Sequence, residues 1–429
     1  MRRVLRALGL GAVVVALGGC WPAPGAGPDR RSHNPFESKI TVDTVATLAP
    51  LWTAPVDHGP AGAPVVSTRG VHVTDGEAVY GFDVRTGTRL WKNPPTPEAF
   101  EGTYQPVVIG DRLLAGRGDD RGDIHNTVWF DPATGVETGV LGGAGHVAGV
   151  RMPTVLLQGI NVSTGGTVVS FGVVDANGGP GGNGGTIEFD AVTALPLTLG
   201  RQRVYHAGPG MPGPGIVPDR WYSGVRAFAL EPTPATCGPE GAPFFACPLW
   251  TTELDGAPTT APVLAADEST VYAGTSTGGL YALAAADGHI LWQAQLGSAV
   301  TAPPALADGT LFVPVADGRL VALDAAGCGA ATCPALWTAP MGGKALQPAV
   351  AGGVVFVGTD TGDGTGTIEA FVATGCGQPT CAPVWAHDLD EPATGAPAVT
   401  GGHLYVGTGL PATDDTHPAT GHLVAFAPA

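Results

Sequence analysis

A short phrase recurs along most of this chain of 429 residues: a Trp is followed 11 or 12 residues later by a Pro that opens an apolar stretch. The phrase begins at Trp52, Trp250, Trp292, Trp337 and Trp385. After each Pro, apolar runs such as VYAGT (271–275) and LVALDA (320–325) alternate with turns that contain Gly. Each unit therefore predicts four short antiparallel strands. One such sheet cannot bury both of its faces, so the units must stack on one another.

The number of units predicts the architecture. Six units can be delimited, at 63–91, 105–138, 262–292, 303–337, 348–385 and 397–427. The interval 139–250 is long enough for two more, although their register is poor. Residues 46–429 are therefore expected to form an all-β, eight-bladed β-propeller, with seven blades as the alternative. The last unit lacks an outer strand, and the segment around Leu51 and Trp52 offers one without a unit of its own. Pairing of these chain ends would close the ring.

Composition limits the other fold and function classes. The 67 Gly and 40 Pro residues leave no long stretch free of helix breakers, which excludes a helical bundle. No internal apolar run approaches the roughly 20 residues that span a bilayer. The net charge of −17 would repel phosphate backbones, so we expect no nucleic-acid partner.

The N-terminus has the features of an export signal. Arg2 and Arg3 precede an apolar core from Leu8 to Leu17, and the sequence Leu-Gly-Gly-Cys ending at Cys20 resembles a bacterial lipobox. Residues 1–19 are thus predicted to be a signal peptide, and Cys20 to carry diacylglycerol and palmitate. A chance Cys after an ordinary signal is the alternative. Residues 20–45 are Pro-rich and without periodicity, and we interpret them as a flexible tether. The protein is then an exported monomer on the outer side of the cytoplasmic membrane, or in the periplasm if an outer membrane exists.

The other six cysteines form three close pairs. The pairs are Cys237 with Cys247, Cys328 with Cys333, and Cys376 with Cys381. In an exported chain this spacing predicts three local disulfides. A zinc site is the alternative, but it would need thiols from two pairs to converge, and no His is suitably spaced.

The recurrent tryptophans are predicted to lie between blades, because an indole combines a large apolar area with one N–H donor. The blade-docking residues on this interpretation are Trp52, Trp91, Trp250, Trp292, Trp337 and Trp385.

The repeat units carry a family resemblance. The unit APVLAADESTVYAGTSTGGLYALAAADGHILW (261–292) resembles the pyrroloquinoline-quinone (PQQ)-like propeller repeat, and GFDVRTGTRLW (81–91) nearly matches its A-x-D-x-x-T-G-x-x-x-W docking phrase. The resemblance extends over about residues 50–429. It implies either a quinoprotein dehydrogenase of alcohols or sugars, or a propeller lipoprotein like that of the outer-membrane β-barrel assembly machinery.

The dehydrogenases of this family typically carry adjacent cysteines in a disulfide ring, a Ca²⁺ bound by Glu, Asn and Asp, and a catalytic Asp. Here no two cysteines are adjacent, and no matching Glu, Asn and Asp set can be identified. We therefore predict no catalytic residue, no metal site and no cofactor, with PQQ and calcium as the alternative. The candidates for a metal site are the cluster of Asp414, Asp415, His417 and His422, and the Gly-rich loops at 175–185 and 360–366.

The predicted function is non-catalytic binding or scaffolding of an envelope protein or saccharide. Insertions in five loops would crowd the rim and form the contact surface. They lie at 92–105, 117–128, 175–185, 207–221 and 410–421.

Overall fold

The chain forms a ring of β-sheets in the computed structural model. The model describes residues 20–57, 59–93, 106–118, 124–141, 146–151, 154–163, 166–175, 187–190, 195–210, 222–230, 248–330, 332–413 and 418–429. These residues form eight sheets whose neighbouring strands are antiparallel, except that His33–Asn34 pairs parallel with Ala349–Ala351. The only helical turns among them are two 3-10 turns at Pro24–Ala26 and Val45–Thr47. In this part of the chain, no helix is long and apolar enough to cross a membrane. The all-β propeller prediction is confirmed.

We number the sheets 1 to 8 along the chain and give the strands from inner to outer. Sheet 1 contains Val65–Val66, Val71–Thr74, Val79–Phe82 and Arg89–Asn93. Sheet 2 contains Val107–Ile109, Arg112–Gly118, Ile124–Phe130 and Glu137–Leu141. Sheet 3 contains His146–Arg151, Thr154–Ser163, Gly166–Asp175 and Ile187–Asp190. Sheet 4 contains Thr198–Leu199, Arg203–Gly210, Tyr222–Ala229 and Trp250–Glu253.

The second half of the chain repeats the pattern. Sheet 5 contains Val263–Leu264, Thr270–Gly274, Gly279–Ala284 and Ile290–Gln295. Sheet 6 contains Ala305–Ala307, Thr310–Val315, Arg319–Asp324 and Trp337–Pro340. Sheet 7 contains Ala349–Ala351, Val354–Asp360, Gly366–Val372 and Trp385–Leu389, with two short additions at His33–Asn34 and Lys344–Ala345. Sheet 8 contains Ala398–Thr400, His403–Leu410, Thr420–Pro428 and Leu48–Pro55.

The two chain ends meet in sheet 8. Leu48–Pro55 supplies its outer strand and pairs antiparallel with Thr420–Pro428. The inner strands of sheets 1 and 8 also contact each other, Val65–Val66 against Ala398–Thr400. The predicted closure by N- and C-terminal strands is therefore confirmed.

Burial along the strands explains why this sequence forms a ring. In the outer strand Ile290–Gln295, only Trp292 and Ala294 are buried, so one face packs on a neighbour and the other is open to solvent. In the third strand Gly279–Ala284 every residue is buried, because neighbouring sheets cover both faces. The apolar clusters accordingly combine residues of adjacent sheets, for example Trp292 of sheet 5 with Val321 of sheet 6.

Residues 20–45 differ from the prediction. They do not form a free tether: Trp21 is 1% exposed, and Ile40 and Val45 are also buried. The prediction was wrong because composition reports only the absence of a periodic pattern. This segment is held largely by backbone groups of several sheets, and such contacts leave no periodic signature in the sequence.

Candidate functional site: the axis and the rim of the ring

The ring has two different faces. The turns between first and second strands, such as 67–70, and between third and fourth strands, such as 83–88, lie on one side, which we call the turn face. The loops between second and third strands, such as 75–78, and the links between sheets, such as 254–262, lie on the other side, which we call the link face. The inner strands of neighbouring sheets contact one another around the axis.

Residues 21–34, which we call the axial segment, reach the inner strand of every sheet. Trp21 exchanges two backbone hydrogen bonds with Val66, at 3.0 and 2.8 Å. Five further inner strands donate a backbone N–H to a carbonyl of the segment: Val108 to Pro22, Leu199 to Pro28, Leu264 to Asp29, Leu306 to Arg31 and Val350 to Ser32. The side chain of Arg30 reaches sheet 3, and the side chain of Asn34 reaches sheet 8. A segment this short can touch all eight inner strands only at the axis, where these strands converge.

The axial segment completes the hydrogen bonding of the inner strands. Each inner strand is the edge of its sheet, and an edge leaves backbone N–H groups without a ladder partner. The donors of six sheets point to the segment. To turn its carbonyls toward different sheets, the segment adopts left-handed backbone conformations at Ala26, Arg30 and Ser32, with φ between 54° and 63°. Non-glycine residues hold such conformations only where the surroundings over-determine them.

Arg30 links sheets 3 and 4 at the axis. Its Nη2 donates to the Ala148 carbonyl at 3.1 Å, and its Nε donates to the Leu197 carbonyl at 2.9 Å. Burial of the guanidinium lowers the pKa of Arg30 to about 10, so the group stays charged at neutral pH. The outer strand of sheet 3 contains no Trp. Arg30 therefore bridges sheets 3 and 4 at a seam where the outer strand of sheet 3 supplies no docking Trp.

At the outer rim, six seams are joined by the predicted tryptophans. Each indole N–H donates to a backbone carbonyl of the next sheet: Trp52 to Val84, Trp91 to Pro132, Trp250 to Ala285, Trp292 to Ala325, Trp337 to Ala373 and Trp385 to Leu48. In five cases the indole ring packs against a Gly of the turn that supplies the carbonyl. At Gly327, for instance, a Cβ would fall 2.5 Å from Trp292 Cδ1. The last acceptor, Leu48, is the first residue of the outer strand of sheet 8. No turn precedes this strand within its sheet, because it comes from the other end of the chain.

Two disulfides brace the rim. Cys328 is bonded to Cys333 in sheet 6, and Cys376 to Cys381 in sheet 7. Each disulfide loop covers the outer strand of the preceding sheet: Cys333 N–H donates to the Gln293 carbonyl, and Cys381 N–H to the Thr338 carbonyl. The loops thus protect exposed strand edges from pairing with other chains. Cys237 and Cys247 lie outside the described residues.

The rim also exposes a repeated apolar residue. The position before each docking Trp is Leu or Val with its side chain facing outward, and these residues are 42–54% exposed. They are Leu51, Leu90, Leu249, Leu291, Leu336 and Val384. The alternation of an outer strand accounts for this, because the Trp faces the next sheet and its neighbour faces away. The result is one exposed aliphatic side chain on each of six sheets.

On the link face, a groove of about 490 Å³ lies between sheets 7 and 8, lined among others by Asp360, Pro392 and Leu410. Nearby, Glu391 Oε2 is 2.9 Å from His422 Nδ1 and accepts a hydrogen bond from Thr408 at 2.9 Å. Burial alone would raise the pKa of Glu391, but the hydrogen bonds from these neighbours outweigh it and hold the pKa below its ordinary value. The carboxylate is satisfied and stabilises the seam.

The residues that are described do not fit the dehydrogenase cofactors. Among them, no group of three His, Cys, Asp or Glu side chains could hold a metal ion. The axial segment itself occupies the position where the inner strands converge on the turn face. Asp360 and Asp363 of the 360–366 loop accept hydrogen bonds from within that loop. Asp414, Asp415 and His417, the 175–185 loop beyond Asp175 and most of the predicted rim insertions lie outside the described residues.

The structure thus distributes the predicted residues over the molecule. The tryptophans and disulfides lie at the rim, and Cys20, partly exposed with its pKa raised by burial, lies at the entrance to the axis. Sequence reasoning missed Trp21 and Arg30. A Trp inside a Pro-rich stretch was the one available signal, because a large apolar residue is rarely left exposed in a linker.

Comparisons with known proteins agree with this architecture. A family model described as outer membrane protein assembly factor BamB matches residues 41–197 and 248–331. No curated protein sequence matches the chain.

Solved structures share the fold. A quinohemoprotein alcohol dehydrogenase from Comamonas testosteroni is 15% identical with a TM-score of 0.65, over 95% of this chain and 80% of that one. A europium-containing methanol dehydrogenase is 14% identical with a TM-score of 0.66, over 96% and 98%. BamB from Moraxella catarrhalis is 14% identical with a TM-score of 0.52, over 89% and 99%. At such identities the likeness concerns the fold alone.

Proposed function

This chain belongs to the family of the outer membrane protein assembly factor BamB, and from that membership we propose that it is an exported, lipid-anchored propeller that binds or scaffolds other envelope components without catalysing a reaction. Where the cell has an outer membrane, the partners would be proteins assembled there. The anchor would be the acyl chains on Cys20, as the Leu-Gly-Gly-Cys sequence suggests.

The observation that carries the proposal is the axial segment. In an open propeller the axis offers a cavity for a small ligand. Here Trp21 and the residues up to Asn34 occupy that position and hydrogen-bond with inner strands from sheet 1 to sheet 8. The surface left for contacts is the outside of the ring, and the exposed aliphatic residues of the outer strands provide apolar area there.

A crosslinking experiment in intact cells tests the scaffold role. A photo-activatable residue at Leu336 or Leu291 on the rim is expected to capture the same envelope protein. The matched control is Ala412, which is also exposed but lies on the link face. Capture at neither Leu336 nor Leu291 in repeated preparations, or equal capture at Ala412, contradicts the scaffold role of the rim.

Labelling with an alkyne analogue of palmitate tests the anchor. The wild-type protein is expected to take up the label, and Cys20→Ala to lose it. The double variant Cys328→Ala/Cys333→Ala should keep it, because those thiols are joined in a disulfide. Equal labelling of the wild type and Cys20→Ala contradicts the anchor.

The alternative is a PQQ-dependent dehydrogenase, because two dehydrogenases share the fold of this chain. Purified protein mixed with the quinone and Ca²⁺ is expected to gain no quinone absorbance and to reduce no dye with alcohols or sugars. Quinone uptake with turnover would replace the scaffold proposal with the enzyme.

A further inference from the structure

The distance between the lipid site and the folded ring is set by one peptide unit. Cys20 is followed directly by Trp21, which is 1% exposed and holds Val66 through two backbone hydrogen bonds. Consecutive Cα atoms are about 3.8 Å apart. An acyl chain on Cys20 would therefore start at the surface of the ring, next to the axis, without a flexible linker between lipid and protein.

The residues after Cys20 identify the face on which this anchor lies. The chain from 35 to 45 runs over the turns that join first and second strands. Glu37 Oε2 accepts the Gly402 N–H at 3.0 Å, and Lys39 Nζ donates to the Gly401 carbonyl at 3.3 Å. Ile40 lies against Gly352, the equivalent turn of sheet 7. The whole stretch therefore lies on the turn face.

The same stretch exposes two large apolar side chains. Phe36 is 61% exposed and Val42 is 44% exposed, whereas Ile40 between them is fully buried. The backbone around both is hydrogen-bonded: Asn34 Oδ1 accepts the Phe36 N–H, and the Val45 N–H donates to the Thr41 carbonyl across the turn that contains Val42. Two apolar side chains on ordered turns thus project from the face that would carry the acyl chains.

We propose that the turn face rests on the lipid bilayer, with Phe36 and Val42 inserted at its interface and the link face pointing away. This inference rests on the proposed acylation of Cys20. Apolar side chains beside a lipid chain add membrane affinity, because each buries further apolar area in the bilayer. The absence of a linker then restricts the orientation of the ring, and the rim with its exposed aliphatic side chains stays accessible beside the bilayer.

Depth-dependent quenching tests this orientation. The acylated full-length protein is incorporated into phospholipid vesicles with brominated acyl chains, and an environment-sensitive fluorescent residue replaces Phe36, Val42, Leu336 or Ala412 in turn. Quenching at positions 36 and 42 is expected to exceed that at 412 at least threefold. Leu336, which is 54% exposed at the rim, serves as the control for exposure alone. Equal quenching at all four positions, or stronger quenching at 412, overturns the inference.

A linker insertion tests the short connection directly. Twelve Gly and Ser residues inserted between Cys20 and Trp21 would give a reach of roughly 20 Å. Quenching at position 36 is expected to fall at least twofold while the protein still floats with the vesicles; unchanged quenching overturns the role of the short connection. If the wild-type protein does not float at all, both the anchor and this inference are wrong. If it floats without quenching at position 36, only the orientation is wrong.

Discussion

Neighbouring sheets are joined in two different ways, at the rim and at the axis. At the rim, each docking Trp belongs to one repeat and bonds one carbonyl of the next, so each of these six seams has its own local contact. At the axis, a single segment outside the repeats bonds all eight inner strands. The rim contacts are redundant and the axial contact is shared. Loss of one indole should weaken one seam, whereas loss of the segment should weaken them all.

The arc formed by sheets 2 to 4 makes this difference more important. The outer strands of sheets 2 and 3 contain no Trp. Axial and turn-face contacts join this arc instead. Arg30 bridges sheets 3 and 4, while Glu268 of sheet 5 pairs with Arg151 at 3.0 Å and accepts the Arg201 N–H at 2.9 Å. At the seam between sheets 3 and 4, the charged Arg30 thus adds hydrogen bonds to the apolar packing.

The largest effect is expected from replacing the axial segment. A Gly and Ser sequence of equal length at 21–34 removes the buried Trp21 and the Arg30 bridge, and should lower the free energy of unfolding by about 5 kcal/mol. Chemical denaturation measures this. The control is the same replacement at Val42 and Asp43, which are exposed and should change little. Equal effects of the two replacements would show that the axis contributes no more than an exposed stretch.

Truncation of one rim indole should cost less. Trp292→Ala leaves a cavity between sheets 5 and 6 and is expected to lose about 3–4 kcal/mol. Trp292→Phe should lose only about 1 kcal/mol, because the Ala325 carbonyl keeps the hydroxyl of Tyr272 as a donor at 2.9 Å. Denaturant unfolding checks both variants. A larger loss in Trp292→Phe than in Trp292→Ala would exclude packing as the main contribution.

Acidification should weaken the rim through His72. This buried side chain stacks on Trp91, with ring centroids 5.6 Å apart, and burial lowers its pKa from 6.5 to about 3. Between these values the unfolded chain binds a proton that the folded chain does not, so stability falls as the pH falls. The expected loss from pH 7.5 to pH 5 is about 2 kcal/mol for this group.

Thermal unfolding at the two pH values measures the effect. His72→Phe should show a smaller difference than the wild type, because the variant lacks the buried imidazole. Identical pH dependence in the wild type and His72→Phe would refute the assignment.

The smallest effect distinguishes the contact of a glycine with the Trp292 indole from the backbone strain of a positive φ. Gly327 and Gly329 both have positive φ, at 83° and 73°, but only at Gly327 would a Cβ meet Trp292. Gly329→Ala should lose about 1 kcal/mol from backbone strain, and Gly327→Ala about 2 kcal/mol or more because the indole must also move. Unfolding free energies check this pair. Equal losses would mean that the indole does not rest on Gly327.

Most of the fold could be predicted from the repeat. The recurrent Trp and Pro define where strands begin and end, and the unmatched strand at Trp52 predicts the pairing with Thr420–Pro428 that closes the ring. The position of residues 20–45 could not be predicted, because the carbonyls of Pro22, Pro28 and Asp29 act through the backbone and carry no side-chain signature. Arg30 was overlooked for the same reason: its partners are carbonyls of Ala148 and Leu197, which are adjacent to it only in the folded ring.

The amino-acid sequence by itself determined the all-β propeller and its closure, since alternation and turn residues act locally and repeat in every unit. Only the tertiary structure decided that the axis is filled and that Cys20 adjoins the turn face, because both depend on where strands far apart in sequence converge. Local periodicity cannot encode a contact that one unrepeated segment makes with eight sheets.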